Sequence, residues 1–189
     1  MPVIKVVPED VDRKLTEVFT QYGYDGASME LLSKATGLKK ASLYHRFPGG
    51  KKDMAAHVLK NTETWFQEQV GSLLHDQDRE IGERLSEAIG KISLLFEDGA
   101  RNCSLRMLSA CSEAAYFQEI IASCFKILRD GFSFVARESG LSEREANERS
   151  MQAIINIQGS LVLSRAMGDN DIFKTSISAI PQLLGIQKK

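Results

Sequence analysis

The sequence has little of several features that would point to specific classes of protein. It has four prolines among 189 residues, and no apolar run long enough to span a bilayer. Its first residues, MPVIKVVPED, lack the apolar core and small-residue cleavage site of a secretory signal. The apolar residues recur at helical spacing, and no stretch shows the alternation of a strand. We therefore expect an all-α protein in the cytoplasm, with no membrane partner.

The cysteines and histidines do not form the pattern of a metal site. Cys103, Cys111 and Cys124 include no C-x-x-C pair, and the three histidines are scattered. We interpret these cysteines first as small apolar core residues. The alternative is a thiol sensor at Cys103, if that residue is exposed beside Arg101 and Arg106, whose charge would favour a thiolate. No metal or cofactor is expected.

The motifs of common enzyme classes are also missing. We find no glycine-rich phosphate loop, no nucleophile elbow and no paired metal ligands. The carboxylates are spread along helix faces, where capping or solvation explains them. The sequence therefore does not predict an enzyme.

What the sequence does have is a basic island on a nearly neutral chain. The formal net charge is -1, yet residues 1–60 carry ten Lys+Arg against seven Asp+Glu. Between Glu30 and Asp53 there are six basic residues and no acidic one. A local excess of this kind favours a local anionic partner, although a solvated helix face would give the same charge count.

The first helix is indicated by a single apolar stripe. Asp10 or Asp12 lies at its start, where an acid suits the helix dipole, and Gly23 is predicted to end it. Helical spacing relates the members of the stripe, which are Val11, Leu15, Val18, Phe19 and Tyr22.

Two short helices follow and form a helix-turn-helix. Ser28 is predicted to cap the first of them, and Gly37 to end it. The second runs over residues 39–47, with Leu43 and Phe47 facing the core. Pro48 and two glycines end it, and a longer helix begins at Lys51.

The remainder of the chain predicts a larger helical body. Ser142 and Glu145 have the spacing of a capping box at the start of one long helix. Pro181 is expected to bend or shorten the last helix. We expect a helix-turn-helix domain over residues 1–52 and a second helical domain over residues 53–189.

The basic island offers the chemistry of a nucleic-acid surface. With Leu43 and Phe47 inward, the other faces of the helix carry cations, hydroxyls and hydrogen-bonding rings, which read base edges and hold phosphates. These residues are Lys39, Lys40, Ser42, Tyr44, His45 and Arg46. Phosphate contacts are also predicted at the N-termini of two other helices. Ser28 lies at the first of these, and Lys51 and Lys52 lie at the second.

Residues 8–60 resemble the DNA-binding segment of the TetR/AcrR family of bacterial transcription regulators. The shared features are the Gly-Tyr after the first helix, Ser28, the A-x-G-L turn that begins at Ala35, the sequence SLYHRF, and the lysine that follows. The FPGGKK form has one more glycine than the commoner F-x-x-K and resembles a subgroup that includes regulators of multidrug efflux. We assign the family's phosphate-binding lysine to Lys51.

The resemblance implies an assembly and a mode of action. Members are homodimers through a bundle of their last two helices, and they bind palindromic operators in double-stranded DNA, usually as repressors. A small-molecule effector in the larger domain changes the spacing of the two DNA-reading heads. In this sequence, the resemblance places the dimer contact on one apolar face, with burial in the core of the same chain as the alternative. The face is made by Met151, Ile154, Ile155, Gln158, Leu161, Val162 and Ala166.

The effector pocket is expected among helices four to eight, and the alternative for each candidate lining residue is an ordinary place in the core. Methionine and aromatic side chains suit a hydrophobic effector. The candidate lining residues are Trp65, Phe66, Phe96, Met107, Phe117, Phe125 and Met151. The alternative to a regulator is a helical interaction or sensor module, with a thiol as one form of sensor, that does not read DNA.

Overall fold

The computed structural model describes residues 8–186, and the regular structure in that range is entirely helical. The all-α prediction is confirmed there. A π-helical segment, Gln67–Gly71, joins α4 to α5, and a 3₁₀ turn, Glu97–Gly99, follows α6. The helices are α1 (Pro8–Gly26), α2 (Met29–Thr36), α3 (Lys40–Arg46), α4 (Lys51–Phe66), α5 (Ser72–Leu74), α6 (Ile81–Leu95), α7 (Ser104–Ser109), α8 (Ala114–Glu138), α9 (Glu143–Met167), α10 (Asp171–Ser178) and α11 (Ile180–Leu183).

The chain divides into two compact units. The first consists of the described residues up to Thr62 together with Ser104–Ile121. The second consists of Glu63–Cys103 and the described residues from Ala122 onward. The boundary predicted between residues 52 and 53 is a functional division and stays a prediction.

The first unit has the predicted helix-turn-helix. Ser28 caps α2, since its Oγ accepts a hydrogen bond from the Leu31 amide at 3.1 Å. Gly37 ends α2 with a φ of 70°, which a residue without Cβ adopts at little cost. The Ser33 hydroxyl donates to the Leu38 carbonyl at 2.6 Å and so holds the turn between α2 and α3.

The core of this unit is built largely from the predicted inward residues. Each helix contributes one buried face, so burial of apolar surface holds the short helices together. The buried side chains include Val11, Leu15, Val18, Phe19, Leu32, Leu43, Phe47, Met54, Val58 and Phe117.

At the end of α1, a different tyrosine is buried from the one predicted. Tyr22, expected in the apolar stripe, is 45% exposed, whereas Tyr24 is 8% exposed. Gly23, whose φ of 68° interrupts the helix, redirects the chain after it, and Tyr24 then turns inward. The regular helix is interrupted at Gly23, where its end was predicted, and a further helical stretch continues to Gly26. Gly23 also lies close to α7, since a Cβ there would be 3.3 Å from Met107 Cε.

The second unit contains a buried guanidinium. Arg84 on α6 is 2% exposed. Its Nη1 donates to the Leu74 carbonyl at 2.9 Å, and its Nη2 donates to Glu138 Oε2 at 2.8 Å. One side chain therefore links α5, α6 and the end of α8.

The last helices of this unit follow the predicted signals. Ser142 and Glu145 form the capping box that begins α9. Pro181 lies in the first turn of α11, and the final helical stretch is divided between Ser178 and Ile180, as predicted. No helix among residues 8–186 is long and apolar enough to cross a membrane.

Both sides of α9 are apolar. Ile154 and Leu161, predicted as part of a dimer face, are 7% and 2% exposed and belong to the core of their own unit. The other side carries Met151, Ile155 and Val162, which are 44%, 53% and 43% exposed. Burial within the chain therefore accounts for only one side of this helix.

Candidate nucleic-acid interface

The exposed side of α3 carries the predicted basic and polar surface. Leu43 is fully buried and Phe47 is 6% exposed, so the opposite side of the helix faces solvent. The exposed residues on this side are Lys39, Lys40, Ser42, Tyr44 and His45. Within residues 8–186, no hydrogen bond or ion pair with another side chain occupies their polar groups. We call these five residues the α3 surface.

Both glycines of the FPGGKK turn occupy positions where a Cβ would be unfavourable. The Asp53 carboxylate, in the first turn of α4, accepts a hydrogen bond from the Gly49 amide at 2.5 Å, and a Cβ at Gly49 would clash with that carboxylate. Gly50 has a φ of 67°, and a Cβ there would lie 3.0 Å from Tyr44 Cε1. The turn therefore packs directly against the Tyr44 ring of the α3 surface.

Arg46 differs from the α3 surface because it has an acidic partner. Its Nη2 lies 3.1 Å from Asp12 Oδ1 on α1, and its guanidinium lies 5.5 Å from the centre of the Phe47 ring. His57 Nε2 lies 3.0 Å from the same Asp12 oxygen. A phosphate contact by Arg46 would therefore compete with Asp12.

The two lysines at the start of α4 are also engaged. Lys51 Nζ donates to the Tyr24 carbonyl at 2.9 Å and lies 4.2 Å from the centre of the Tyr24 ring. Lys52 Nζ lies 2.8 Å from Glu113 Oε2 and 4.9 Å from the centre of the Tyr116 ring. The hydrogen bond to Glu113 raises the pKa of Lys52 above its ordinary value.

The segment around Glu113 makes a second contact with the helix-turn-helix unit, which we call the head, at the end of α1. The Ser112 amide donates to Asp25 Oδ2 at 3.0 Å, and the Ser112 hydroxyl donates to Asp25 Oδ1. These two hydrogen bonds, the hydroxyl one first, lower the pKa of Asp25. The Tyr24 ring packs edge-on against Phe117, with 5.5 Å between ring centres. Residues 104–121 thus belong to the same unit as the helix-turn-helix.

These geometries agree with comparisons to known proteins. Residues 15–58 match the family model described as bacterial regulatory proteins, tetR family. The HTH-type transcriptional regulator LmrA of Bacillus subtilis is 24% identical over 172 residues, which cover 89% of this chain and 92% of LmrA. Residues 15–58 therefore match the helix-turn-helix segment of the TetR family. The similarity to LmrA, a transcriptional regulator, extends over most of the chain.

Other similarities extend over nearly the whole chain. The uncharacterized HTH-type transcriptional regulator YxaF of B. subtilis is 24% identical over 180 residues, covering 93% of this chain and 94% of YxaF. A TetR transcriptional regulator from Legionella pneumophila has a solved structure that aligns with a TM-score of 0.81 at 18% identity. That alignment covers 96% of this chain and 97% of the Legionella protein, so the two chains share one fold.

The predicted effector residues are distributed over both units. Met107 and Phe117 belong to the first unit, where they lie against Gly23 and Tyr24. Phe66 and Phe96 are buried in the second unit, and each packs edge-on against another aromatic ring. Trp65 and Phe125 are partly exposed in that unit, and Met151 lies on the exposed side of α9. Their role in binding stays a prediction.

A different part of the second unit contains a groove of about 310 Å³. It borders the π-helical segment, which the sequence did not predict, and none of the predicted effector residues lines it. Most of its lining side chains are polar, and the lining residues are Gln67, Gly71, His75, Ser123, Lys126, Ile127 and Asp130.

The cysteines do not have the surroundings required of the proposed thiol sensor. Cys103 is 2% exposed and Cys124 is fully buried, as expected of small core residues. Cys111 is partly exposed, and its Sγ donates to the Leu108 carbonyl at 3.2 Å. Among residues 8–186, no group of three or more His, Cys, Asp or Glu side chains could hold a metal ion.

Sequence reasoning missed the acidic partners of the basic island. Asp12 and Glu113 lie far along the chain from Arg46 and Lys52, and neither is part of a recognisable motif. No local pattern could have paired them, because the folding of α1 and of the segment between α7 and α8 brings them together.

Proposed function

We propose that the protein is a repressor that binds a palindromic operator as a homodimer and is released when a small hydrophobic molecule binds its larger domain. The observation that carries this proposal is the α3 surface, whose polar groups are exposed and available to DNA. A second short helix of this kind presents its first residues to the major groove. Such a function places the protein in the cytoplasm.

DNA contacts in this proposal come from two sources. Lys39, Lys40, Ser42, Tyr44 and His45 contact DNA with the groups they already expose, and the Ser28 hydroxyl can donate to a phosphate while it caps α2. Arg46, Lys51 and Lys52 contact phosphates only by adding to, or giving up, their present partners. We assign this head function to residues 1–52 and ligand binding and dimerisation to residues 53–189.

Selection of bound duplexes from a random pool tests the proposal most directly. We expect enrichment of a palindrome whose half-sites are separated by about 34 Å or a multiple of it, since two identical heads must reach the same face of the duplex. An interaction or sensor module that does not read DNA would enrich no sequence, and that result would contradict the proposal.

The dimer contact is proposed for the exposed side of α9 together with the last helical stretch. Met151, Ile155 and Val162 share one face with Gln158, whose Oε1 is buried and has no hydrogen-bond partner within residues 8–186. Apolar side chains at this spacing form a seam suited to helix–helix packing. A second copy of the chain would cover the seam and supply polar groups for Gln158.

We expect Ile155→Glu to raise the dimer dissociation constant by about 100-fold or more, because a buried carboxylate without a partner costs several kcal/mol. Sedimentation at micromolar concentration measures the effect. The matched control is Leu163→Glu, at a residue equally exposed on the same helix but off the seam. A dimer unaffected by Ile155→Glu would contradict this interface.

Effector release follows if the effector prefers the conformation that cannot bind the operator. A ligand shifts such an equilibrium only through its different affinities for the two states. We propose the predicted apolar residues as the pocket, with the polar groove beside the π-helical segment as the second candidate. Release of labelled operator by a panel of hydrophobic compounds tests the first, and a response confined to polar compounds would favour the groove.

A further inference from the structure

The second lysine after the FPGG turn, Lys52, is held by a carboxylate from a distant part of the chain. Lys52 Nζ lies 2.8 Å from Glu113 Oε2, and both side chains are 37% exposed. The Tyr116 ring, one turn along α8 from the loop that holds Glu113, lies below the same ammonium at 4.9 Å. The ammonium thus has an anion on one side and an aromatic face on another, in a place that solvent still reaches.

The carboxylate is itself held in position. Ser112 precedes Glu113 and donates two hydrogen bonds to Asp25 at the end of α1. The loop between α7 and α8 is therefore fastened to α1 through Ser112 and to α4 through Glu113. All of these residues belong to the same compact unit as α2 and α3.

The neighbouring lysine makes a useful contrast. Lys51 donates to a neutral backbone carbonyl, so no negative charge is released if it moves. Lys52 is paired with a full negative charge. A DNA phosphate that approached Lys52 would meet both the ammonium and its competitor.

We propose that Glu113 competes with DNA phosphate for the ammonium of Lys52 and thereby lowers the operator affinity of the head. The inference rests on the proposed function, because it requires a head that binds DNA at the start of α4. Glu113 is then a positioning residue, which acts on DNA through Lys52 without touching it.

The ion pair between Lys52 and Glu113 is weak enough for a phosphate to displace it. Pairs at this exposure contribute about 0.2–1 kcal/mol, because solvent screens them and two long side chains must be ordered. A phosphate can therefore displace Glu113, while the displacement still reduces the net gain from binding.

The test is a double-mutant cycle in the full-length chain with Glu113→Gln and Lys52→Met, read on the duplex selected from the random pool. In the parent background we expect Glu113→Gln to tighten binding by about two- to fivefold for each head, the fold-change equivalent of the lost competition. The slope of log affinity against log salt should steepen by up to about one for each head, since Lys52 is then free to release a counterion. In the Lys52→Met background, Glu113→Gln should change neither quantity.

Two controls separate competition from simple loss of negative charge. Glu113→Asp keeps the carboxylate and should bind like the parent. Glu119→Gln removes an exposed carboxylate from α8 in the same unit and should leave the slope unchanged. Equal tightening by Glu119→Gln, or tightening by Glu113→Gln that persists without Lys52, would overturn the inference.

A readout without DNA keeps this inference distinct from the proposed function. Side-chain NMR titration of Lys52 should show its pKa lower in Glu113→Gln than in the parent, because the bonded carboxylate is gone. An unchanged pKa would show that the pair does not form in solution and would overturn the inference by itself. Failure of the parent to enrich any duplex would instead contradict the proposed function, and the inference with it.

Discussion

The two ends of the basic island differ in how much of their charge is available to DNA. At the start of α3, Lys39 and Lys40 are exposed and have no ion-pair partner among residues 8–186. At the start of α4, Lys51 is bonded to a backbone carbonyl and Lys52 to Glu113. The same residue type therefore offers an available cation at one helix start and a tether at the next. A count of charges along a sequence does not distinguish the two.

The difference has a structural reason. The first turn of α3 faces solvent, because its helix is held by Leu43 and Phe47 on the opposite side. The first turn of α4 adjoins the end of α1 and the loop before α8, which supply the Tyr24 carbonyl and the Glu113 carboxylate. Tethered lysines can stabilise the head, whereas available ones can bind DNA.

The largest expected effect is the loss of DNA affinity when a lysine at the start of α3 is removed. We expect Lys40→Ala to weaken binding to the selected duplex by about 1–3 kcal/mol and to alter base preference at one position of each half-site, as loss of a base contact does. The unfolding free energy should not change. Lys34→Ala, an exposed lysine on α2, is the matched control. Uniform weakening with no change of preference would make Lys40 a phosphate contact.

A smaller effect is expected at the tethered end, and on stability. We expect Lys51→Met to lower the unfolding free energy by about 1–2 kcal/mol, because a charged hydrogen bond and a cation–π contact are lost while the aliphatic stem is kept. Chemical denaturation measures it. The phosphate-binding role predicted for Lys51 would appear instead as a salt slope flattened by about one, with unchanged stability.

The smallest expected effect is on the pH dependence of stability, and it concerns the hydrogen bonds from Ser112, in the loop between α7 and α8, to Asp25. Because hydrogen bonds from Ser112 lower the pKa of Asp25, the folded protein binds fewer protons there than the unfolded chain. The stabilisation is therefore present above the ordinary aspartate value of 3.8 and is lost as the pH falls through the lower folded value. We expect the unfolding free energy of Asp25→Asn to fall less steeply than that of the parent below about pH 5. Parallel curves would show that this contact contributes nothing to the head.

Local patterns predicted the helices and caps well. Ser28, Gly37 and the Ser142–Glu145 capping box each depend on residues within four positions of one another, so the sequence alone carries their signal. Helical spacing did not predict the burial of Tyr24, because the non-helical backbone at Gly23 comes between it and the apolar stripe. The π-helical segment had no recognisable signal.

Contacts between distant segments could not be predicted in this way. The inclusion of residues 104–121 in the head unit depends on Tyr24 meeting Phe117 and Asp25 meeting Ser112. Burial also divided the predicted face of α9, because Ile154 packs into its own unit while Ile155 stays exposed. Helical periodicity identifies an apolar residue but does not say which neighbour will cover it.

By itself, the sequence determined an all-α chain with a helix-turn-helix and the side chains of the α3 surface. Those features follow from backbone preferences and from the 3.6-residue period, which act over a few residues. Only the tertiary structure decided which cations remain available, because an ion pair forms wherever the fold brings a carboxylate within reach. Lys40 and Lys52 are both lysines near a helix start in the sequence, but only Lys52 is paired with Glu113 in the structure.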